Sequence, residues 1–279
     1  MSRYREAAFA TALVVALSAT LLFLLLPVVA IFTQAGPGEL IGSLARPEAR
    51  DALEVSLRSA AIAMAIILTV GTPAAYLLAT RNFPGRELVI TAIELPIVLP
   101  PAVAGIGLLA AFGPRGALGE PLSSLGLSIP LTSTAVVLAM VFVSAPLHVR
   151  QAQAAFAAVD PRLRQASHTL GATEFRWFTR AALPLATPGL GAGATLALGR
   201  SLGEFGATLM FAGSLQGVTQ TLPLAIFETF TTDFTAALGL GALLVAVSGA
   251  LLLTVKLLGG GIGPQRAPGY AAAGVRAAD

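Results

Sequence analysis

Six apolar runs dominate the chain, at 9–32, 53–80, 88–112, 131–149, 185–211 and 236–258. Each is about as long as the twenty residues a helix needs to cross the hydrocarbon core of a bilayer. Transmembrane β-strands would instead appear as short alternating segments, which are absent. Charged residues make up 11% of the chain, against about 25% in a soluble domain. No polar stretch is long enough to enclose a core of its own. The sequence therefore predicts an all-α polytopic membrane protein of about six transmembrane helices. Residues 1–258 form its single transmembrane domain. The Gly-, Ala- and Pro-rich tail 259–279 is expected to be mobile.

The N-terminal residues carry Arg3 and Arg5 before the first apolar run. That run is longer than the apolar region of a secretory signal, so an uncleaved first span is expected. Pro27 within it is tolerable in a membrane helix. The second run opens with Glu54 and Arg58, spaced to pair at the membrane surface.

Several function classes are excluded at this level. The net charge is +3, but the arginines are spread over short loops with no basic domain to hold a nucleic acid. The chain has no cysteine, which removes disulfides, thiolate metal sites and cysteine nucleophiles. It has no phosphate-binding G-x-x-x-x-G-K-[ST] loop, no G-x-S-x-G and no H-E-x-x-H. His148 and His168 fall far apart in the topology, with no metal-ligand set around either. No enzymatic site, metal or cofactor of the chain's own is expected.

The positive charges also orient the chain. With the N-terminus in the cytoplasm, Arg3, Arg5, Arg81, Arg86, Arg150, Arg162, Arg164, Arg176, Arg180, Lys256, Arg266 and Arg276 fall on the cytoplasmic side. The opposite side and the membrane interior receive Arg46, Arg50, Arg58, Arg115 and Arg200. Positive loops are retained in the cytoplasm, so both termini are expected there, in a plasma membrane protein.

The longest charged interruption, 160–184, then lies in the cytoplasm. Asp160 is a strong N-cap and Pro161 suits the first helical position. Leu163, Ala166, Ser167 and Leu170 recur at helical spacing. Gly171 stands where a left-handed residue would end the helix. The spacing predicts a short amphipathic helix with Arg162, Gln165 and His168 facing outward. Arg162, Arg164 and Arg176 would be available to acids on a partner. On pattern alone the helix could bind lipid headgroups or dock a protein.

Two intramembrane features stand out. Arg200 and Glu204 are four residues apart in an apolar run, with Ser201 between them. Ionisable groups inside a membrane cost several kcal/mol unless paired or hydrated. The pair either satisfies itself and fixes packing, or lines a pathway. Glu94 precedes a proline cluster, Pro96, Pro100 and Pro101. Glu94 is read as lying near the cytoplasmic interface or contacting a freed backbone N–H, and the prolines could break the helix to make a gate. Gly189 with Gly193, and Gly199 with Gly203, are small-xxx-small pairs that allow close helix approach. Helix packing is the default reading of these and a subunit seam the alternative.

Gln165-Ala166-Ser167, three residues, Gly171, nine residues and Ala181-Ala182-Leu183-Pro184 resemble the EAA loop of binding-protein-dependent ABC importer permeases. Gln165, Ser167 and Ala181 depart from that family's Glu, Ala and Ile. The stretch Arg200-Ser201-Leu202-Gly203-Glu204-Phe205-Gly206-Ala207-Thr208 is similar to molybdate permease subunits, and in a related form to sulfate permeases. So are Thr221-Leu222-Pro223, Asn82-Phe83-Pro84-Gly85-Arg86 and Leu95-Pro96-Ile97-Val98-Leu99-Pro100-Pro101.

The resemblance implies a type I ABC importer permease fold. It also implies a homodimer of permease subunits, two cytoplasmic ABC ATPase subunits that bind ATP-Mg, and an extracytoplasmic substrate-binding protein. It makes Asp160, Pro161, Arg162, Arg164, Gln165, Ala166, Ser167, Gly171, Leu183 and Pro184 the ATPase-coupling element. Pro100, Pro101, Arg200, Ser201 and Glu204 become candidates for the pathway or gate. The implied cargo is molybdate or tungstate, with sulfate or thiosulfate as the alternative. A secondary transporter, the reading from another class, would need ion-coupling groups and internal repeats.

Overall fold

The computed structural model describes residues 2–258 apart from 35, 37, 39–41, 43 and 44. The tail 259–279 lies outside the described residues. Among those described, every regular element is a helix.

Helix α1 is Ser2–Gln34 and continues through Pro27. Helix α2, Pro47–Thr80, contains a π-helical turn at Ile67–Gly71. It begins before the expected position 53. Pro47 is preset for the first turn, Glu48 lies in that turn, and Arg46 is extended in front of them. Gly85, at φ 82°, turns the chain into α3, Arg86–Val98. Helix α4 is Pro101–Phe112 and α5 the short Gly119–Ser124. Helix α6, Ser133–Ala157, is followed by α7, Pro161–Thr169. Helix α8 runs Glu174–Leu202, with a π-helical turn at Phe178–Ala182. Helices α9, Gly206–Ala212, α10, Leu222–Phe230, and α11, Phe234–Leu258, complete the order.

Helices α1, α2, α6, α8 and α11 are each long and apolar enough to cross a membrane. Helices α3 and α4 together match a sixth span but are bent by 118°. The single helix expected over 88–112 is thus two, and the prolines explain why. A residue before proline is pushed out of the α region. Leu99 precedes Pro100 and takes ψ 132°, and Pro100 precedes Pro101 and takes ψ 134°. Two extended residues in succession turn the chain, and Pro101 then opens α4. The helix expected over 185–211 also divides, at Gly203–Phe205, into α8 and α9.

Both π-helical turns lie just ahead of a proline. Pro73 lacks the N–H that would bond to Thr69, and its ring crowds that carbonyl. Pro184 stands in the same relation to Arg180. Thr69 and Arg180 each lie within a π turn. Widening the helix there lets it pass the proline without breaking.

Helix α6 is the centre of the bundle. Just over half of its most apolar stretch is buried (56%), against none of α1 (0%). Around it packs a core of small residues, including Ala60, Ala63, Ala104, Ala135, Ala139 and Ala207, filled out by Met140, Leu202 and Phe211. Small residues let membrane helices approach closely. A Cβ on Gly189 would lie 2.4 Å from the Cβ of Ala155, and one on Gly193 would lie 3.0 Å from that of Gln151. This glycine pair therefore belongs to the α6–α8 contact within one chain. Gly199 faces Leu252 of α11.

Gly189→Val forces a branched side chain into that seam. Overpacking of this kind costs about 1–3 kcal/mol, so the melting temperature in detergent is expected to fall by several degrees. Gly107→Val in α4, where a Cβ meets nothing within 4 Å, should leave it nearly unchanged. Equal melting curves for the two variants would contradict the packing assignment.

Candidate functional site

The structure brings the singled-out residues into two groups, one at each end of α8. At the α7 end, the Asp160 carboxylate accepts from the N–H of Arg162 at 2.8 Å, with Pro161 in the first turn. At the other end of α7, Gly171 takes φ 80°. Its N–H donates to the carbonyl of His168 at 2.9 Å, and that of Ala172 to the carbonyl of Ser167 at 3.0 Å. These are the two bonds of a Schellman C-cap. The helix is fixed at both ends by local chemistry and buries none of its residues.

Glu174, the first residue of α8, holds α7 in place. Its Oε1 accepts from Arg164 Nη2 at 2.8 Å and from the Tyr76 hydroxyl at 2.5 Å. Its Oε2 lies 3.1 Å from His168 Nε2. One expectation is corrected here: Arg164 is engaged within the chain rather than free for a partner's acid. His168 is exposed, as its helical position predicts, while its ring lies against Glu174 and its Nδ1 is 3.0 Å from the carbonyl of Ala172. Among the described residues Arg162, Arg176 and Arg180 are exposed and make no ion pair. Gln165 and Ala166 are exposed, and the Ser167 hydroxyl donates to the carbonyl of Arg164. Leu183 packs on the cluster of Phe156, Trp177 and Phe178, while Pro184 is exposed.

Sequence reasoning missed the apolar surface of this element. Leu170 is 88% exposed and Phe175 76%. Large apolar residues inside a charged loop were the available signal. Tyr76 left none, being 98 residues from Glu174 in the chain.

At the far end of α8, the chain breaks over Gly203–Phe205. Glu204 is completely buried. Its Oε1 accepts from the N–H of Ala207 at 2.7 Å, capping α9. Its Oε2 lies 2.5 Å from Arg200 Nη1, without the alignment of a hydrogen bond. The carboxylate thus has a charge partner and a backbone donor, which offset the cost of burying it. Arg200 keeps a third of its side chain exposed. Ser201 is fully buried and donates to Ser144 of α6 at 2.9 Å, so it faces the helix packing.

The two breaks meet. A Cβ on Gly206 would lie 2.8 Å from Pro101, and one on Gly105 would lie 2.7 Å from the carbonyl oxygen of Ala207. The α3–α4 elbow, containing Pro100 and Pro101, is therefore packed against the start of α9. Its outer side is open, with Val98 81% exposed. Glu94 is not solitary: its carboxylate lies 2.5 Å from Arg150 Nε, tying α3 to α6.

A family model described as "Binding-protein-dependent transport system inner membrane component" matches residues 71–259. The chain is 40% identical over 237 residues to the molybdenum transport system permease protein ModB of Mycobacterium tuberculosis (strain ATCC 25618 / H37Rv), covering 85% of this chain and 90% of that protein. It is 41% identical over 182 residues to ModB of Escherichia coli (strain K12), covering 65% and 80%. The probable sulfate transport system permease protein cysT of Chlorokybus atmophyticus is 33% identical over 247 residues, covering 87% and 86%. The fold is similar to a chain in the crystal structure of a bacterial ABC transporter involved in import of the acidic polysaccharide alginate. The TM-score is 0.73 at 17% identity, covering 93% of this chain and 97% of that one. It is also similar to a chain of the MetNI methionine ABC transporter in inward-facing conformations. There the TM-score is 0.57 at 20% identity, covering 75% and 91%.

Replacing Glu174 by Ala removes the acceptor shared by Tyr76, Arg164 and His168. Amide exchange over 161–170 is expected to speed up several-fold, while α6 keeps its protection. Unchanged exchange in α7 would mean that its caps alone hold it.

Proposed function

We infer that this chain, which belongs to the family of binding-protein-dependent transport system inner membrane components, is the membrane-spanning subunit of an ABC importer for molybdate or tungstate. The observation that carries this reading is the 40% identity to a molybdenum permease over 85% of the chain. The sulfate-permease relative supports sulfate or thiosulfate as a second reading, since all these cargoes are tetrahedral oxyanions.

Two copies of the chain would enclose the pathway. Two ATPase subunits would bind and hydrolyse ATP-Mg in the cytoplasm, and an extracytoplasmic binding protein would deliver the anion. In this scheme the chain's part is transport, and the catalysis belongs to the ATPase subunits. The arginine bias supports a topology with both termini and α7 in the cytoplasm.

In this scheme α7 is the coupling element. Its capped ends make it rigid, so it can follow a movement of the ATPase as a body. Leu170 and Phe175 supply exposed apolar surface for the contact, and Arg162 and Arg176 a positive rim that orients it.

The pathway side follows from a membrane rule. Non-helical backbone is tolerated at membrane depth only where protein covers it or a watery cavity adjoins it. The open side of the α3–α4 elbow therefore faces the pathway or the second subunit, not lipid. Arg200, partly exposed beside the second break, supplies positive potential for an oxyanion. Glu204, committed to Arg200 and to the N-terminus of α9, tempers that attraction so that the anion is released. Each step of alternating access requires a partner that binds the two states unequally.

Uptake of molybdate by proteoliposomes containing the full importer tests this. Gly171→Val strains a left-handed position, by about 1–2 kcal/mol, and disturbs the end of α7. ATP hydrolysis is expected to continue while molybdate uptake falls roughly tenfold, within the usual range of coupling energies. Arg200→Ala, in correctly assembled complexes, should lower uptake with little change in the basal ATPase rate. Normal coupling in the first variant would overturn the role of α7, and normal uptake in the second the role of Arg200.

A further inference from the structure

Asp51, Glu54 and Arg58 lie along one side of α2 and line a cavity of about 370 Å³. Its opposite wall is Ser133, Thr134, Val137 and Leu138 of α6, and Ile62 and Ile66 continue it along α2. The Asp51 carboxylate accepts from Gln216 at 3.3 Å. Glu54 and Arg58 do not form the pair that their spacing suggests. Among the described residues neither has a side-chain partner, and both are exposed.

The depth of the cavity can be measured along the helix. Tyr76, at the other end of α2, bonds to Glu174 at the α7 surface. Glu54 is 22 residues earlier, or roughly 33 Å at 1.5 Å per residue. That matches the ~30 Å hydrocarbon core, so Glu54 lies at the opposite membrane surface. Ile62 and Ile66 lie two to three turns deeper. The cavity is therefore charged where headgroups are and apolar where acyl chains are.

We propose that this cavity is a site for a phospholipid whose headgroup carries both a phosphate and a primary ammonium, of the phosphatidylethanolamine class. Arg58 presents a planar fork of donors suited to phosphate. Glu54 and Asp51 present carboxylates for the ammonium, and Ser133 and Thr134 add hydroxyls beside them. One acyl chain lies against Ile62, Ile66 and Leu138. The two carboxylates outnumber the single guanidinium, so a free oxyanion or a purely anionic lipid is disfavoured there. A neutral detergent-like chain would leave Glu54 and Arg58 unanswered.

The test uses the full importer in nanodiscs of equal parts phosphatidylethanolamine, phosphatidylcholine and phosphatidylglycerol, with retained lipid measured by native mass spectrometry. The wild-type complex is expected to retain phosphatidylethanolamine over phosphatidylcholine by about fivefold or more. Glu54→Gln with Arg58→Gln should reduce that ratio to near one, and Glu54→Gln alone should shift retention towards phosphatidylglycerol. Arg180→Gln, on the other surface, should leave the lipid ratio unchanged. If the double variant does not assemble, Ile62→Trp, which fills the apolar end and leaves the charges, should lower retention of every lipid. An unchanged ethanolamine preference in the double variant would overturn the proposal. So would no lipid preference in the wild type, or displacement of lipid by the binding protein with Glu54 and Arg58 as its contacts.

Discussion

A backbone N–H or C=O left unbonded in hydrocarbon costs several kcal/mol, and this fold depends on how it meets that constraint. Most of the chain meets it as continuous helix. The exceptions are few and chemically specific. Two prolines meet π turns that widen the helix without opening it. Two breaks do open it, at Leu99–Pro100 and at Gly203–Phe205. They are placed against each other, with Gly206 allowing the contact with Pro101. Glu204 then supplies by side chain part of what the second break removes from the backbone: an acceptor for the Ala207 N–H in the first turn of α9.

That arrangement explains why an acid and a base coexist inside the bundle. Without Arg200, Glu204 would be a buried charge with one backbone partner. Without Glu204, α9 would begin with unmet donors, and Arg200 would lose its counter-ion. Of the two readings the sequence leaves open, the structure shows the packing one for Glu204, and the pathway role of Arg200 belongs to the proposal. Glu204 is the packing member, completely buried, and Arg200 is the member with surface to spare.

Local chemistry was legible in the sequence, and tertiary pairing was not. Asp160-Pro161 and Gly171 dictate where α7 starts and stops, because capping involves residues within a few positions of each other. Consecutive prolines dictate the elbow for the same reason. Tyr76 reaches Glu174 from 98 residues away, and the partners of Glu94 and Ser201 likewise come from helices distant in sequence, so none leaves a periodic trace. Glu54 and Arg58 mislead in the opposite direction: spacing permits a pair, but an exposed i, i+4 pair gains only about 0.3–0.5 kcal/mol, too little to dictate geometry beside a polar cavity. The apolar runs located the spans but not the split ends of 88–112 and 185–211, since hydropathy is blind to backbone direction.

The position of α8 joins these parts into a mechanism. Its first residue, Glu174, grips α7 through Arg164 and His168. Its last turn carries Arg200, 26 residues on, or roughly 39 Å along a helix. Between them α8 is seated on α6 by Gly189 and Gly193, where no side chain intervenes. A helix held this closely moves as a rod rather than bending freely. A displacement of α7 by its partner would therefore reach the Arg200–Glu204 break as a shift of the whole of α8. Because α9 is capped from that break and packed on the elbow, the shift has to move the elbow or break the cap. Breaking the cap would strand the carboxylate in a dry interior, so moving the elbow is the less costly response. In the proposed scheme, the same burial that makes Glu204 expensive would make it an effective link between the α7 contact and the elbow.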